Sequence, residues 1–471
     1  MTTRVLLLNP AAPDGCTVIR SYSGGYGDVI EPSHDVRILF PPLELLRMAA
    51  VFRDAGIKPY VVDHQANPIS PLPDQADLVI TFCSLPTIAT DSEAHASAMK
   101  RYGNCRGFLF TSVRSQAFWS RAVELSGAEA ILLPEMIPMI DRLATGQDLG
   151  GFLAAHPTVE IVDAKAFLDP ESEPIPALDL LDLQPYVFSP FIEANAPDQP
   201  IVILHASAGC PYPCGYFCPY PLAEGKRYRP KSTTRVVAEM LASKKQGAVA
   251  VVFRDPVFTF DRKRTLELCY AIECAGLGMP WWCETRIDRL DHEVLERMVD
   301  AGCVGIEVGV ESGDDKILQG SARKNIRTEQ VVEFNRMAIE LGVVVHYLFI
   351  LGLPGEGRRN ISNTLSFILE LQIPPSRVNL SIITPYPGTP FHRDAVTAGW
   401  IEREMDSFTG YSVVMRTDKL DASELAEAER LGESMKKIAG LRGELAIEEW
   451  ESCANEFRKK LSNWVESGPN G

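Results

Sequence analysis

Residues 201–221 read IVILHASAGCPYPCGYFCPYP, a short apolar run that leads into three closely spaced cysteines. The run predicts a buried β-strand, because IVIL carries no polar side chain on either face. Four prolines after it preclude a regular helix, so Cys210, Cys214 and Cys218 belong to a loop that can wrap around one centre. Three thiols in such a loop indicate a metal site.

Strand and helix patterns alternate on the C-terminal side of this loop. Predicted strands lie at 201–205, 248–253, 281–284, 305–309, 343–350 and 379–383, with amphipathic helices such as 233–246, 262–275, 292–301, 328–341 and 361–371 between them. Parallel strands joined by right-handed helical crossovers curl into a barrel, and six such units make a partial (β/α)6 TIM barrel. Active-site residues should directly follow each strand.

The position of the cysteine loop bears on which metal it binds. Structural zinc sites normally use four protein ligands, which here would require His205 as the fourth. Three thiolates instead leave one iron of a four-iron cluster open to a second ligand. Because ligands bind at the mouth of a barrel, the loop's place there favours the cluster over structural zinc and over a chance group of buried thiols.

Charged and glycine-rich segments follow the other predicted barrel strands. They read FRDP at 253–256, ETR at 284–286, GVESG at 309–313, GLPGE at 352–356 and TPYPGT at 384–389. Together they suit a zwitterionic amino acid that bears a nucleoside, because carboxylates bind ammonium and hydroxyl groups and arginine binds a carboxylate. An aspartate after a strand is more often a helix cap, so the joint placement beside the cysteines carries this inference.

Longer motifs in the same region are GCPYPCGYFCPYPLAEGKRYRPKS, FRDPVF, CETRID, GVESGDDKIL, ILGLPGE and TPYPGTPFH. With them, residues 200–395 resemble the core of radical S-adenosylmethionine (SAM) enzymes, in the branch that carries an N-terminal cobalamin-binding domain. The resemblance implies that the three cysteines hold a [4Fe–4S] cluster whose open iron binds SAM, and that reductive cleavage of SAM yields a 5′-deoxyadenosyl radical. It also implies that the SAM contacts include Asp255, Glu284, Arg286, Glu311 and Ser312.

The cysteine spacing departs from the pattern usual in that family. The family has three residues in the first gap and two in the second, whereas here both gaps hold three, with Gly215, Tyr216 and Phe217 in the second. An extra residue can bulge out of a loop, so we expect the cluster to bind. Tyr216 and Phe217 both qualify as the aromatic residue that contacts SAM from this gap.

Strands and helices also alternate in the first 150 residues. Apolar strands near 5–8, 59–63, 77–82, 107–111 and 130–134, with helical stretches such as 43–55 and 94–101, predict a doubly wound parallel sheet. Ligands bind such sheets at the carboxyl ends of the strands, where Asn9, Ser84 and Thr87 are the candidates. The runs PPLELLRMAAVFRDAG and VVDHQA extend the resemblance and imply that cobalamin binds there. His64 does not fit the motif that supplies a lower cobalt ligand, so a cobalt without a protein imidazole is expected.

The sequence therefore predicts an α/β protein in four regions. They are a Rossmann-like domain of the cobalamin-binding type at 1–150, a connector rich in proline and acids at 151–199, the partial barrel at 200–395 and a helical C-terminal region at 396–471.

Composition excludes several kinds of protein. The 471 residues include 46 Lys and Arg against 62 Asp and Glu, and the net charge of −16 argues against nucleic acid or a membrane surface as a partner. The start, MTTRVLLLNP, is too short an apolar run for a signal or a membrane span, so a cytoplasmic protein is expected. The eleven cysteines should then be thiols or ligands rather than disulfides.

The resemblance implies a cobalamin-dependent methyltransferase that acts on an unactivated carbon of a small metabolite or short peptide through the 5′-deoxyadenosyl radical. An external electron donor such as flavodoxin or ferredoxin would reduce the cluster, and no catalytic residue toward the substrate is assigned. One alternative is a radical SAM rearrangement, cyclisation or other bond change, with cobalamin in another role or absent. The other alternative is a non-catalytic iron–sulfur or zinc protein.

Overall fold

The computed structural model describes residues 3–13, 16–30, 37–144, 167 and 169–468. The predicted end of the first domain at residue 150, and residues 151–166 and 168 of the predicted connector, lie outside the described residues.

The described residues form two parallel sheets, short strand pairs and the helices that cover them. The strands are β1 (Arg4–Asn9), β2 (Thr17–Ile19), β3 (Asp28–Ile30), β4 (Ile38–Leu39), β5 (Lys58–Asp63), β6 (Leu78–Phe82), β7 (Arg106–Phe110), β8 (Ala130–Leu132), β9 (Val187–Phe188), β10 (Ile201–Leu204), β11 (Ser207–Ala208), β12 (Arg229–Pro230), β13 (Ala250–Phe253), β14 (Trp281–Thr285), β15 (Cys303–Glu311), β16 (Val344–Leu351) and β17 (Val378–Ile382). The helices are α1 (Leu43–Asp54), α2 (Ile88–Tyr102), α3 (Gln116–Ser126), α4 (Asp141–Ala144), α5 (Pro190–Glu193), α6 (Tyr220–Ala223), α7 (Thr233–Lys245), α8 (Arg262–Ala275), α9 (His292–Asp300), α10 (Asp315–Gln319), α11 (Thr328–Glu340), α12 (Arg358–Leu371), α13 (Pro390–Thr397), α14 (Ala422–Gly440) and α15 (Ile447–Glu466).

The first sheet has the strand order β5-β1-β6-β7-β8, and all of its neighbouring strands are parallel. Alternate side chains of β1 pack on opposite faces, Leu7 in the same apolar cluster as Leu45 of α1 and Leu8 in the same cluster as Ala98 of α2. From β1 the chain continues to β5 on one side and then to β6 on the other. The switch point of the sheet, where ligands of such folds bind, therefore lies at the ends of β1 and β6.

The second sheet has the strand order β10-β13-β14-β15-β16-β17, again with every neighbouring pair parallel. Helices α7, α8 and α9 each begin at a polar side chain that accepts a hydrogen bond from the first helical turn, namely Ser232, Asp261 and Asp291. Trp281 and Trp282 of β14 are fully buried in its core. The predicted α/β class and the six strand–helix units of a partial barrel are confirmed.

A hairpin lies between the two sheets. It comprises β2 and β3, which pair in antiparallel fashion, and we call residues 17–30 the arm. The N–H of Leu85, after β6, donates to the carbonyl of Tyr26 at 2.9 Å, and the Tyr26 hydroxyl donates to the carbonyl of Pro387 at 3.0 Å. The arm therefore connects the end of the first sheet to the loop after β17.

Helices α14 and α15 pack against α12 on the outside of the barrel. Arg358 at the start of α12 bonds to Glu424 of α14 at 2.8 Å. Gly352 after β16 has no side chain to obstruct this packing, since a Cβ there would lie 2.6 Å from Leu425 of α14. Among the described helices, none combines the length and the apolar character needed to cross a membrane.

Candidate active site

The cysteine loop follows β11 and opens onto the carboxyl ends of the barrel strands. A single 3-10 turn shapes it, so that the N–H of Cys218 donates to the carbonyl of Cys214 at 3.0 Å. Cys210 and Cys214 are buried and Cys218 is half-buried. Gly209 allows the loop to start, because its φ is +85° and a Cβ would lie 2.0 Å from the carbonyl oxygen of Arg227.

The three thiols affect one another's ionisation. Burial raises the pKa of Cys210 to about 12, and the neighbouring Cys214 adds to the rise. Burial also raises the pKa of Cys218, and the sulfurs of Cys214 and Cys210 raise it further. Burial and mutual repulsion make these thiolates unfavourable unless a positive charge lies beside them. A metal centre supplies that charge, so the three cysteines suit a metal site.

Ligand spacing distinguishes a cluster from a single ion. Within the described residues, no three side chains of His, Cys, Asp or Glu lie close enough together to hold one metal ion. In a [4Fe–4S] cluster each thiolate binds a different iron, so the ligands stand further apart than those of one ion. His205 lines a different cavity from the cysteines. The donor set therefore fits a four-iron cluster better than zinc held with His205.

The cysteines open into a cavity of about 200 Å³ inside the barrel. Four of the predicted SAM contacts line this cavity together with them, namely Phe217, Glu284, Arg286 and Glu311. The structure thus brings an aromatic ring, two carboxylates and a guanidinium to the side of the cysteine loop.

Two other predicted SAM contacts are buried away from the cavity. Asp255 is fully buried and accepts hydrogen bonds from the N–H of Ala206 at 3.0 Å and the hydroxyl of Ser207 at 2.6 Å. The Ser312 hydroxyl is also buried and lies 3.0 Å from the hydroxyl of Thr364. Neither side chain is among those that line the cavity, because Asp255 binds the start of β11 and Ser312 binds helix α12 instead.

The turn in the loop gives the two aromatic residues of the second gap different surroundings. Tyr216 points away from the cavity, where its hydroxyl donates to Asp394 at 2.7 Å and its ring packs against Phe391. Phe217 is buried and lines the cavity beside the cysteines. Phe217 is therefore the aromatic residue placed to contact a ligand of the cluster.

Arg254 links two carboxylates of the cavity, and the sequence reasoning missed it. Its guanidinium lies 3.1 Å from Glu284 and 3.0 Å from Glu307. Burial raises the pKa of Glu284 to about 7, although Arg254 opposes the rise. The motif FRDP contains both Arg254 and Asp255. Successive side chains of an extended chain point to opposite sides, so only one of the two can face the cavity, and the sequence does not show which one.

A second ion pair, between Glu311 and Lys324, also lines the cavity at a separation of 2.7 Å. Glu311 has φ of +75° at an irregularity of β15, which is uncommon for a residue other than glycine. Gly309 leaves room for the pair, since a Cβ there would lie 2.6 Å from the Glu311 carboxylate. Lys324 belongs to none of the motifs, so no sequence signal identifies it.

The three residues predicted to contact cobalamin are bound by the arm. Arg20 of the arm pairs with the buried Asp91 at 2.7 Å. The same guanidinium donates to Asn9 at 2.7 Å, to Ser84, and to Thr87 at 3.4 Å. These side chains form one buried network that holds the arm on the ends of the first sheet.

The arm also reaches the barrel cavity. Gly25 lies directly on the loop after β7, because its φ is +79° and a Cβ would lie 2.6 Å from the Ser112 hydroxyl. Further along the arm, the ring of Tyr22 lies 4.1 Å from the guanidinium carbon of Arg254, and Asp28 lines the cavity. The arm therefore covers the strand ends of one sheet and forms part of the wall of the other.

Two histidines considered from the sequence have other surroundings. His205 lines a cavity of about 80 Å³ with Glu224 and Arg229, and burial lowers its pKa. His64 at the end of β5 lies 3.0 Å from the carbonyl of Ser70.

Residues 205–368 match the model of the radical SAM superfamily. This chain carries a radical SAM domain. The domain includes the cysteine loop and most of the barrel, and it confirms the resemblance read from the motifs. It implies a [4Fe–4S] cluster and SAM as cofactors.

Curated relatives of this chain include methyltransferases by name. An uncharacterized methyltransferase, PH0819, from Pyrococcus horikoshii is 29% identical over 265 residues, which is 53% of either chain. The hopanoid C-3 methylase of Methylococcus capsulatus is 29% identical over 225 residues, which is 47% of this chain and 41% of the relative. The chain thus spans about half the length of the curated relatives it matches.

Solved structures share the whole architecture. The radical SAM methyltransferase TsrM from Kitasatospora setae, solved with cobalamin and a [4Fe–4S] cluster bound, superposes with a TM-score of 0.62 at 14% identity, over 98% of this chain and 100% of that one. The cobalamin-dependent radical SAM enzyme OxsB, with aqua-cobalamin and SAM bound, gives a TM-score of 0.65 at 16% identity, over 98% and 72%. The chain therefore has the fold of these cobalamin-binding enzymes.

Proposed function

We propose that this radical SAM chain is a methyltransferase that acts on an unactivated carbon, with cobalamin as the methyl carrier. The observation that carries the proposal is the cavity in which three cysteines face Glu284, Arg286 and Glu311. Relatives named as methyltransferases, and the fold shared with solved enzymes that bind cobalamin, support the methyl-transfer part.

The cavity residues suit a SAM molecule on the cluster. When bound, the cluster and SAM would together supply the one-electron chemistry that activates a substrate C–H bond. Arg286 is fixed by Asp288 at 2.8 Å and by the carbonyl of Lys324 at 2.6 Å, so it presents an oriented cation to the SAM carboxylate. Glu284 and Glu311 offer carboxylates to an ammonium group or to ribose hydroxyls.

The walls of the cavity suit a small organic molecule or a short peptide. Leu348, Ile350 and Ile383 line it on the side of β16 and β17. These apolar side chains exclude water from the reacting centre, which protects a reactive intermediate from side reactions. An external electron donor, such as flavodoxin or ferredoxin, completes the reaction by reducing the cluster.

The place for cobalamin depends on the arm. In open α/β sheets ligands bind at the carboxyl ends of the strands, and those ends are where Arg20 holds Asn9 and Ser84. A cavity of about 20 Å³ borders Asn9 and Arg20 at this place, which is far too small for a corrin. Cobalamin binding there therefore requires the arm to leave the strand ends.

We expect cobalamin to increase amide hydrogen exchange in the arm, residues 17–30, by about tenfold or more, because exchange reports local opening. The measurement is hydrogen exchange by mass spectrometry on protein with and without hydroxocobalamin. Peptides from α7 serve as the internal control and should not change. Stoichiometric cobalamin binding with an arm as protected as before would contradict this expectation.

A second function is a radical SAM rearrangement, cyclisation or other bond change without methyl transfer. The observation that favours it is the network of Arg20 and Asp91, which closes the strand ends of the first sheet. Product mass separates the two functions, since methylation adds one methylene unit to the substrate.

The test of both functions is anaerobic reconstitution with iron, sulfide and cobalamin, followed by SAM and dithionite. We expect 5′-deoxyadenosine to form, and we expect methylcobalamin if the chain is a methyltransferase. A protein with a full complement of iron and sulfide that forms no 5′-deoxyadenosine would overturn the enzymatic proposal and favour a non-catalytic iron–sulfur protein.

A further inference from the structure

The tip of the cysteine loop is exposed on the outside of the barrel. Pro211 and Pro213 are exposed, although Cys210 and Cys214 beside them are buried. Tyr212 between the two prolines is half-buried and lines the cavity. A cluster held by this loop would thus be separated from solvent by little more than the loop tip.

Half-buried aromatic rings lie on both sides of this tip. On one side the ring of Tyr212 lies 5.9 Å from that of Phe260, which in turn lies 4.6 Å from the ring of Tyr228. On the other side is the ring of Tyr216. All four residues are half-buried, and aromatic residues are enriched in protein–protein interfaces.

Two exposed arginines lie over three of these rings. The guanidinium of Arg289 lies 5.4 Å from the ring of Phe260 and 5.6 Å from that of Tyr212. The guanidinium of Arg323 lies 4.2 Å from the ring of Tyr216. Tyrosine and arginine are the residue types that most often dominate binding energy in interfaces. We call Tyr212, Tyr216, Tyr228, Phe260, Arg289 and Arg323 the basic rim.

The charge around the basic rim is opposite to that of the whole chain. Segments 209–229, 286–289 and 323–327, which contribute most of the rim, contain eight Lys and Arg residues, of which Arg286 and Lys324 are buried, and two acidic ones, whereas the chain carries −16. The two acids are Glu224, which accepts from the N–H of Gly209, and Asp288, which pairs with Arg286. Asp394 beside Tyr216 is a further acid at the edge. A local positive surface on an acidic protein attracts an acidic partner to one place.

We propose that the basic rim is the docking surface for an acidic one-electron carrier protein that reduces the cluster. This inference rests on the proposed function, because it requires the cluster. In the transfer, the carrier loses one electron and the cluster gains one, with no bond formed or broken. A protein carrier is favoured over a nucleic acid because the rim is a small patch with half-buried aromatic residues, whereas a nucleic acid requires an extended basic surface.

The test compares reduction of the cluster by a protein and by a small reductant. The proteins are the reconstituted wild-type chain and the double variant Arg289→Glu/Arg323→Glu, and the protein reductant is the hydroquinone form of a bacterial flavodoxin. Stopped-flow absorbance at low salt gives the rate of cluster reduction. We expect a fall of about tenfold or more in the second-order rate with flavodoxin, together with a reversed salt dependence. Reduction by dithionite, and SAM cleavage driven by dithionite, should not change.

Two further variants complete the design. Arg430→Glu changes the same charge on α14, at a side chain that is 71% exposed, and should leave the flavodoxin rate unchanged. The conservative double variant Arg289→Lys/Arg323→Lys should keep most of the rate, because it keeps the charge. Equal flavodoxin rates for the wild type and the charge-reversal variant would overturn the proposal. So would RNA binding by the wild type that the reversal removes while the flavodoxin rate stays the same. A wild type that dithionite reduces without SAM cleavage would instead contradict the proposed function.

Discussion

The Cys214→Ala protein is expected to form no 5′-deoxyadenosine from SAM and dithionite, even after anaerobic reconstitution. Cys214 is the central cysteine of the loop, is buried and lines the cavity, so its loss leaves two thiols for the cluster. Two thiols cannot retain a four-iron cluster in a stable form beside open positions for solvent. Iron and sulfide content and the visible absorption of the cluster should fall together with the product.

The matched control for this variant is Cys274→Ala. Cys274 is an exposed thiol at the end of α8, outside the cysteine loop. Its loss should leave iron content and 5′-deoxyadenosine formation unchanged. If the Cys214→Ala protein kept a full cluster and wild-type product yield, the assignment of the loop as the cluster site would be wrong.

The structure shows how the loop accommodates its unusual cysteine spacing. With three residues between the last two cysteines, the structure turns Tyr216 outward and Phe217 inward. Because Tyr216 points outward, the loop accommodates the extra residue, and Cys218 still lines the cavity. The sequence alone left the two aromatic residues equivalent, because the direction of a side chain in a loop depends on the tertiary contacts around it.

Much of the architecture could be predicted because it depends on local patterns. The barrel strands alternate with amphipathic helices whose caps, such as Ser232 and Asp261, are visible in the sequence. The cysteine loop was recognisable because prolines and thiols at short spacing are rare elsewhere in the chain. Both signals are confined to segments of a few residues, so they do not require knowledge of distant contacts.

Contacts between distant segments could not be predicted in the same way. Arg20 covers the residues that were predicted to contact cobalamin. Its bond to Ser84 joins residues that are 64 positions apart in the sequence. Lys324 reaches the cavity only because Glu311 adopts a positive φ and Gly309 lacks a side chain. Such arrangements follow from the packing of whole elements, which a motif of neighbouring residues does not encode.

Replacing Arg254 with methionine is expected to lower the free energy of unfolding by about 3–5 kcal/mol, because it leaves two buried carboxylates without their cation. Arg254 is 3% exposed and pairs with both Glu284 and Glu307. The matched control is Arg262→Met. Arg262 also pairs with two carboxylates, Asp291 and Glu293, but its side chain is 49% exposed, so we expect a much smaller loss. Urea denaturation of each protein provides the measurement.

The pH dependence of the free energy of unfolding that Arg254→Met loses identifies the cause of the loss. Without the cation, the pKa of Glu284 in the folded state should rise further above its unfolded value, because burial already raises it and Arg254 no longer opposes the rise. A carboxyl whose pKa is raised by folding destabilises the fold increasingly as pH rises above its unfolded pKa. The deficit should therefore be larger at pH 8 than at pH 5.5, and Glu284→Gln with Glu307→Gln should restore part of the stability. A deficit independent of pH would indicate lost packing instead of uncompensated charge, because methionine fills less of the space between Tyr22 and the two carboxylates.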